Sequence, residues 1–172
     1  MLCCQSLLAN SHHQHPEERQ AMNDPHTHHE LTSIDYRQGQ LPEAEALRAL
    51  YDSVSWSAYT DDLDSLVGGL EGATALVTAW NGEELVGLAR VISDGFTIAY
   101  LQDVLVHPEF QRRGIASELV ERVFAPFQRV RQHVLITDAE ERQRAFYESL
   151  RFREARDFPH GGLRAFVRFQ NH

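Results

Sequence analysis

The sequence predicts an α+β fold, a mixed and mostly antiparallel central sheet flanked by helices. Three observations point there. Two hairpin signals stand back to back in mid-chain, an amphipathic segment comes after the second, and a short apolar run then leads into another helical pattern. With 172 residues and 42% hydrophobic content, the chain has room for one compact domain with its own core.

Residues 1–30 differ in composition from the rest. Six of the ten histidines fall in "SHHQH" and "HTHH", among Pro, Asn, Asp and Glu, and such a stretch reads as a flexible leader that buries no core. Its histidines have no fixed spacing or second cluster to define a metal site. Met22 offers a second start for translation, and the domain itself is expected over residues 31–172.

Periodic structure begins at Leu31. "LTSIDYR" reads as a first strand, Pro42 opens a helix over "EAEALRALYDSV", and "DDLDSLVGGL" is a second short helix capped by Asp61 or Asp62. "TALVTAW", the pair Asn81-Gly82 and "ELVGLARVIS" form one hairpin. Asp94-Gly95 closes a second hairpin into "FTIAYLQDVLV". Ile115, Leu119, Val120, Val123, Phe124 and Phe127 then recur at helical spacing up to Pro126. "HVLIT" is a short buried strand, "EERQRAFYESL" a helix, and "RFREAR" with "LRAFVRF" a closing strand pair around "DFPHGG".

Charge and thiols narrow the function classes. The formal charge is −9 and all sixteen basic residues are Arg, so the chain lacks the basic footprint of a nucleic-acid binder and favours cationic partners, amines among them. Cys3 and Cys4 are adjacent and build no disulfide framework, which suits a reducing, cytoplasmic setting. No apolar run is long enough to span a membrane, and "MLCCQSLLAN" lacks the basic region of a signal peptide.

The stretch "QRRGIA", Gln111 to Ala116, carries the most chemistry. A strand ending near Val106 and a helix starting near Gly114 would aim the N–H groups of Arg113 to Ala116 into the turn, at the positive end of the helix dipole. That arrangement suits a phosphate, with Gly114 allowing close approach and Arg112 or Arg113 adding charge. The same residues also suit an ordinary strand-to-helix connection.

"VLVHPEFQRRGIASELVERV" resembles the acyl-CoA-binding motif of the GNAT superfamily of N-acetyltransferases, Gln/Arg-x-x-Gly-x-Gly/Ala between a strand and a helix. "AFYESLRF", about thirty residues on, is similar to that superfamily's Phe-Tyr-x-x-x-Gly-Phe signature. Both motifs lie within a resemblance that covers roughly Leu31 to Phe169. "LYDSVSWSAYT", "VGLARVISDG" and "QDVLV" look like a small bacterial subgroup related to arylalkylamine acetyltransferases.

The resemblance implies acetyl-CoA as co-substrate. It places the pyrophosphate on the turn from Gln111 through Arg112, Arg113, Gly114 and Ile115 to Ala116. The pantetheine arm would lie along Val104, Leu105 and Val106, with a backbone N–H near Leu105 polarising the thioester carbonyl; an oxyanion donor of that sort is worth roughly 3 to 4 kcal/mol in enzymes where one has been removed. Phe146 would lie along the cofactor and Tyr147 near its sulfur. A phenol there stays protonated at neutral pH and can return a proton to the departing thiolate; Tyr147 can equally be the rim of a helix whose Phe146 and Leu150 enter the core. Arg151 stands where the signature has Gly, so the turn into the last strands can take another geometry, with Arg151 in a left-handed backbone that is unfavourable for a non-glycine residue.

The remaining candidates each keep two readings. A primary amine titrating near 10 costs roughly 4 to 5 kcal/mol to deprotonate at pH 7, so a proton sink is needed. Asp103, a carboxylate inside an apolar strand, can be that base, directly or through a water, or a structural group satisfied by an Arg or backbone N–H groups. Tyr51, Trp56, Tyr59 and Thr60 can wall an acceptor pocket or belong to the core. Asp138 can bond the pantetheine or cap the next helix, and His107 reads as a polar loop residue.

The expected activity is therefore transfer of an acetyl group to a primary amine of a small molecule by direct attack, with no metal required. A protein or peptide acceptor is one rival, and a non-catalytic acyl-CoA sensor is another. Exposed final strands would make a homodimer unsurprising.

Overall fold

The computed structural model describes residues 33–159 and 161–168, so the leader, its histidines and Met22 lie outside the described residues. The chain divides after Ile136 into two compact units.

The first unit holds a five-stranded sheet in the order β1-β2-β3-β4-β5: β1 Asp35–Gln38, β2 Ala75–Asn81, β3 Glu84–Ser93, β4 Ile98–Val106 and β5 Gln132–Leu135. Neighbours from β1 to β4 are antiparallel and β5 runs parallel to β4, which makes the sheet mixed and mostly antiparallel, as expected. Both hairpins form. In the first, Asn81 is the last residue of β2 and pairs with Glu84, so the turn residues are Gly82 and Glu83, one position later than expected, with the positive φ of 63° on Gly82. In the second, the Asp94 carboxylate accepts from the Thr97 hydroxyl, whose bond does most to hold its pKa below the ordinary value, and from the N–H groups of Phe96, Thr97 and Ile98.

Helices cover the two sheet faces. α1 Ala44–Ser53, α2 Ser57–Thr60 and α3 Leu63–Glu71 lie between β1 and β2, and α4 Ile115–Phe124 crosses from β4 to β5. Of the two cap candidates, Asp62 is the cap of α3, accepting from Ser65 N at 3.1 Å. Leu47, Leu50, Tyr51 and Leu66 pack in one cluster with Leu88 and Leu105 of the sheet. Because Leu88 and Leu105 are register partners, their neighbours Gly87 and Val106 face the opposite side, where Leu119 and Ile115 of α4 lie against Gly87.

The separate helix α2 was not legible in the sequence; it comes after Ser55, whose φ of 62° breaks the chain away from α1. The apolar spacing of α4 stops near Pro126 as expected, in a single 3₁₀ turn over Ala125–Phe127.

The second unit contains α5 Glu141–Ser149 and a 3₁₀ turn at Ala155–Asp157. The expected closing strand pair is not formed among the described residues. Arg144 of α5 pairs with Glu154 at 3.0 Å and Asp157 at 2.7 Å, holding that segment in a turn. One hairpin-like bond survives, Leu163 N to Ala155 O at 2.6 Å. Arg151 takes the left-handed backbone its position called for, with φ 68°.

Candidate active site

β4 runs past β5. The parallel ladder covers only Ile98–Leu101, so Val104, Leu105 and Val106 extend beyond it while still pairing with Ala89, Leu88 and Gly87 of β3. Their side chains are buried, and their backbone is what the strand offers along that edge. His107 N donates to Val86 O at 2.8 Å, which carries the strand direction to the start of the next turn.

The turn after β4 is built by its own residues. Pro108–Phe110 forms a 3₁₀ turn in which His107 Nδ1 accepts from Glu109 N at 3.3 Å, the polar loop role expected of that histidine. The Gln111 carboxamide donates to Val106 O at 3.0 Å, stapling the turn to the strand end. Arg112 has φ 60° and Gly114 has φ 80°, so the backbone passes twice through the left-handed region before α4 begins. Only Gly114 does so without steric cost.

Gly114 caps α4 without a side-chain hydrogen bond, and its carbonyl accepts the first helical bond from Glu118 N at 3.1 Å. The N–H groups of Ile115, Ala116 and Ser117 therefore open the helix with no acceptor inside it, at the positive end of the dipole. Arg112, Arg113 and Gly114 are exposed, and the Arg113 guanidinium stands 5.3 Å over the Phe110 ring. The side chain of Ile115 enters the core, so what it can offer an anion is its N–H.

Asp103 is wholly buried. Its Oδ2 accepts from Tyr51 Oη at 3.0 Å and pairs with Arg90 Nε, and Arg90 Nη1 also donates to Gly69 O. A carboxylate held by a guanidinium and a phenol is satisfied, and it lies away from solvent. Burial first, then the Asp103 charge, pushes the Tyr51 phenol well above its ordinary range.

The aromatic group after α1 divides. Tyr51, Trp56 and Tyr59 pack ring against ring with centroids 5.5 to 5.8 Å apart. Tyr51 is wholly buried, Trp56 and Thr60 are nearly so, and Thr60 Oγ1 donates to Asp52 at 2.5 Å. These three lie in the core, and Tyr59, which is half-buried, packs against the same cluster.

In the second unit, Tyr147 is buried and shares one face of α5 with Gln143. Its ring lies between Phe146 and Phe152, at 5.0 and 5.9 Å. Asp138 does not cap α5, whose cap residue is Glu140. Burial and then Glu140 raise the Asp138 pKa.

The sequence profile of the acetyltransferase (GNAT) domain matches residues 38–164. The chain belongs to the GNAT acetyltransferase family. A GNAT-family acetyltransferase from Streptococcus pneumoniae is 28% identical with a TM-score of 0.67, covering 79% of this chain and 99% of that one. A curated Gibberella zeae protein that carries an acetyltransferase name is 27% identical over 123 residues, 70% of this chain and 67% of its own length. The aminoglycoside N-acetyltransferase AAC(6')-Iy, bound to a bisubstrate analogue, shares the fold at 19% identity and a TM-score of 0.60, over 81% of this chain and all of its own.

This acetyltransferase uses acetyl-CoA as its acetyl donor. Among the described residues, no helix is long and apolar enough to cross a membrane. Sequence reasoning missed two buried polar residues of this chain, Arg90 and Gln143. Arg90 carried a signal of its own, being a lone cation in the apolar run "ELVGLARVIS" beside a strand that holds a lone carboxylate.

Proposed function

We propose that the enzyme acetylates the primary amine of a small molecule by direct attack on acetyl-CoA. The observation that carries this reading is the overrun of β4 beside the turn Gln111–Ala116. The overrun offers backbone groups to a pantetheine arm, and the turn offers the first N–H groups of α4 to a pyrophosphate.

The amine nitrogen bonds to the thioester carbonyl carbon, and the tetrahedral oxyanion is met by a backbone N–H near Leu105. The C–S bond then breaks. The ammonium gives its first proton to solvent before attack, Tyr147 donates its proton to the CoA thiolate, and the second proton lost by the nitrogen reaches the phenolate through solvent and restores it. By the family resemblance, Phe146 would lie along the cofactor and Asp138 would accept from its amide groups. Tyr59, at the half-buried rim of the aromatic group, favours an amine with an apolar body. Two adjacent thiols without a disulfide framework favour work in the reducing cytoplasm.

The test is release of CoA thiol from acetyl-CoA over polyamines, arylalkylamines, amino sugars and a lysine peptide, comparing wild type with Tyr147→Phe. Turnover of one small amine class, slowed about a hundredfold in the variant, is expected. Turnover of the peptide alone would make the acceptor a protein, and tight acetyl-CoA binding with no turnover would make the protein a sensor.

A further inference from the structure

Arg90, Asp103 and Tyr51 together join four elements inside the first unit. Arg90 is on β3, Asp103 on β4, Tyr51 on α1, and Gly69, whose carbonyl Arg90 reaches, on α3. The site is fitted to the guanidinium. A Cβ on Gly69 would stand 3.2 Å from Arg90 Nη1, so this helix position is bare where the cation lies. Glycine inside a helix costs about 1 kcal/mol relative to alanine, and here the room it leaves is occupied.

The position of the pair matters as much as its burial. Arg90 faces Asp103, but the next residue Val91 faces Leu101, so β4 bulges at Gln102. A bulge bends its strand and re-aims the residues beyond it. Here those residues are Val104–Val106. At the other end of the network, the Tyr51 ring touches both Trp56 and Tyr59.

We propose that Arg90 and Asp103 are positioning residues: they lock the β4 bulge to α1 and α3, so that the strand segment for the thioester and the aromatic rim for the acceptor are held as one body. This rests on the proposed assignment of Val104–Val106 and Tyr59. A buried ion pair is a poor source of stability, since apolar residues of similar volume often replace one at no loss. The pair is accounted for by the geometry it imposes.

That same property supplies the test. The double variant Arg90→Met/Asp103→Leu is compared with wild type in urea unfolding, in the dissociation constant for acetyl-CoA by calorimetry, and in kcat and KM for whichever amine is turned over. The expected result is a midpoint near that of wild type, acetyl-CoA binding weakened roughly tenfold, and kcat/KM lower by about a hundredfold, the scale of an ångström's misplacement. A folded double variant with wild-type binding and kcat/KM would overturn the proposal and leave the pair as core filling. If the double variant does not fold, Tyr51→Phe decides. It keeps the packed ring and removes the bond to Asp103, and a raised amine KM supports the proposal while unchanged constants overturn it. Acetyl-CoA binding needs no acceptor, so a wild type that turns over no amine refutes the proposed activity without silencing this measurement.

Discussion

Gly87→Ala would push a methyl group into the seam between β3 and α4. The added carbon would stand 3.0 Å from Leu119 Cδ1, 3.3 Å from the carbonyl oxygen of Leu105 and 3.4 Å from Ile115 Cγ2. Leu119 is fully buried and Leu105 O is backbone, so neither gives way easily. Burying the methyl returns about 0.8 kcal/mol, while overpacking a close-fitted core costs about 1 to 3 kcal/mol. A net loss of up to about 2 kcal/mol is expected, read as a lower urea midpoint at unchanged slope. The strain is relieved by lifting α4, and Ile115 is its first residue, so acetyl-CoA binding should weaken several-fold as well. Gly68→Ala in α3 is the control. Nothing lies within 4 Å of its added carbon, and helix propensity alone should stabilise it by up to about 1 kcal/mol. A Gly87→Ala protein as stable as wild type, with the same acetyl-CoA affinity, would refute the claim that this seam sets the position of the helix start.

Three further predictions concern Tyr51, Arg90 and Arg151. The folded protein holds the Tyr51 phenol neutral to a higher pH than the unfolded chain does. The stability this contributes is complete below the ordinary tyrosine pKa of 10.0 and falls as pH rises towards the folded value; denaturation across alkaline pH should show a steeper loss in wild type than in Tyr51→Phe. Arg90→Met alone, which strands a buried carboxylate, should cost about 3 to 5 kcal/mol by chemical denaturation, most of it recovered when Asp103→Leu is added. Arg151→Gly relieves a non-glycine residue at φ 68° and should raise stability by about 1 kcal/mol in the same assay.

The meander β2-β3-β4 and helix α4 were readable because each rests on local signals: alternating apolar residues, a turn glycine, and a 3.6-residue stripe. The closing strands were not, because "RFREAR" and "LRAFVRF" have strand-like composition, while the ion pairs of Arg144 that fold the segment back depend on distance in space. The same division runs through the site. The turn at Gln111–Ala116 lies in one stretch of chain, and the helix start near Gly114 could be read there. The Arg90–Asp103 pair could not: counted back from the second hairpin without a bulge, Arg90 would face Gln102, and only the slipped register brings it to Asp103. The core role of Tyr51 was visible in principle. Leu47, Leu50, Tyr51 and Val54 recur at helical spacing, so they share the face that α1 buries.

The overrun of β4 past β5 bears on the life of the protein without its ligand. Among the described residues no strand meets this edge of β4 beyond Leu101, and such an edge is a template on which other chains can pair and grow. On the proposed reading, the amide groups of the pantetheine arm take the place of that missing neighbour, so the cofactor acts as a chaperone for its own binding strand. Protein purified in the absence of CoA should then self-associate on warming, at temperatures well below its unfolding transition, and saturating CoA should keep it dispersed over the same range.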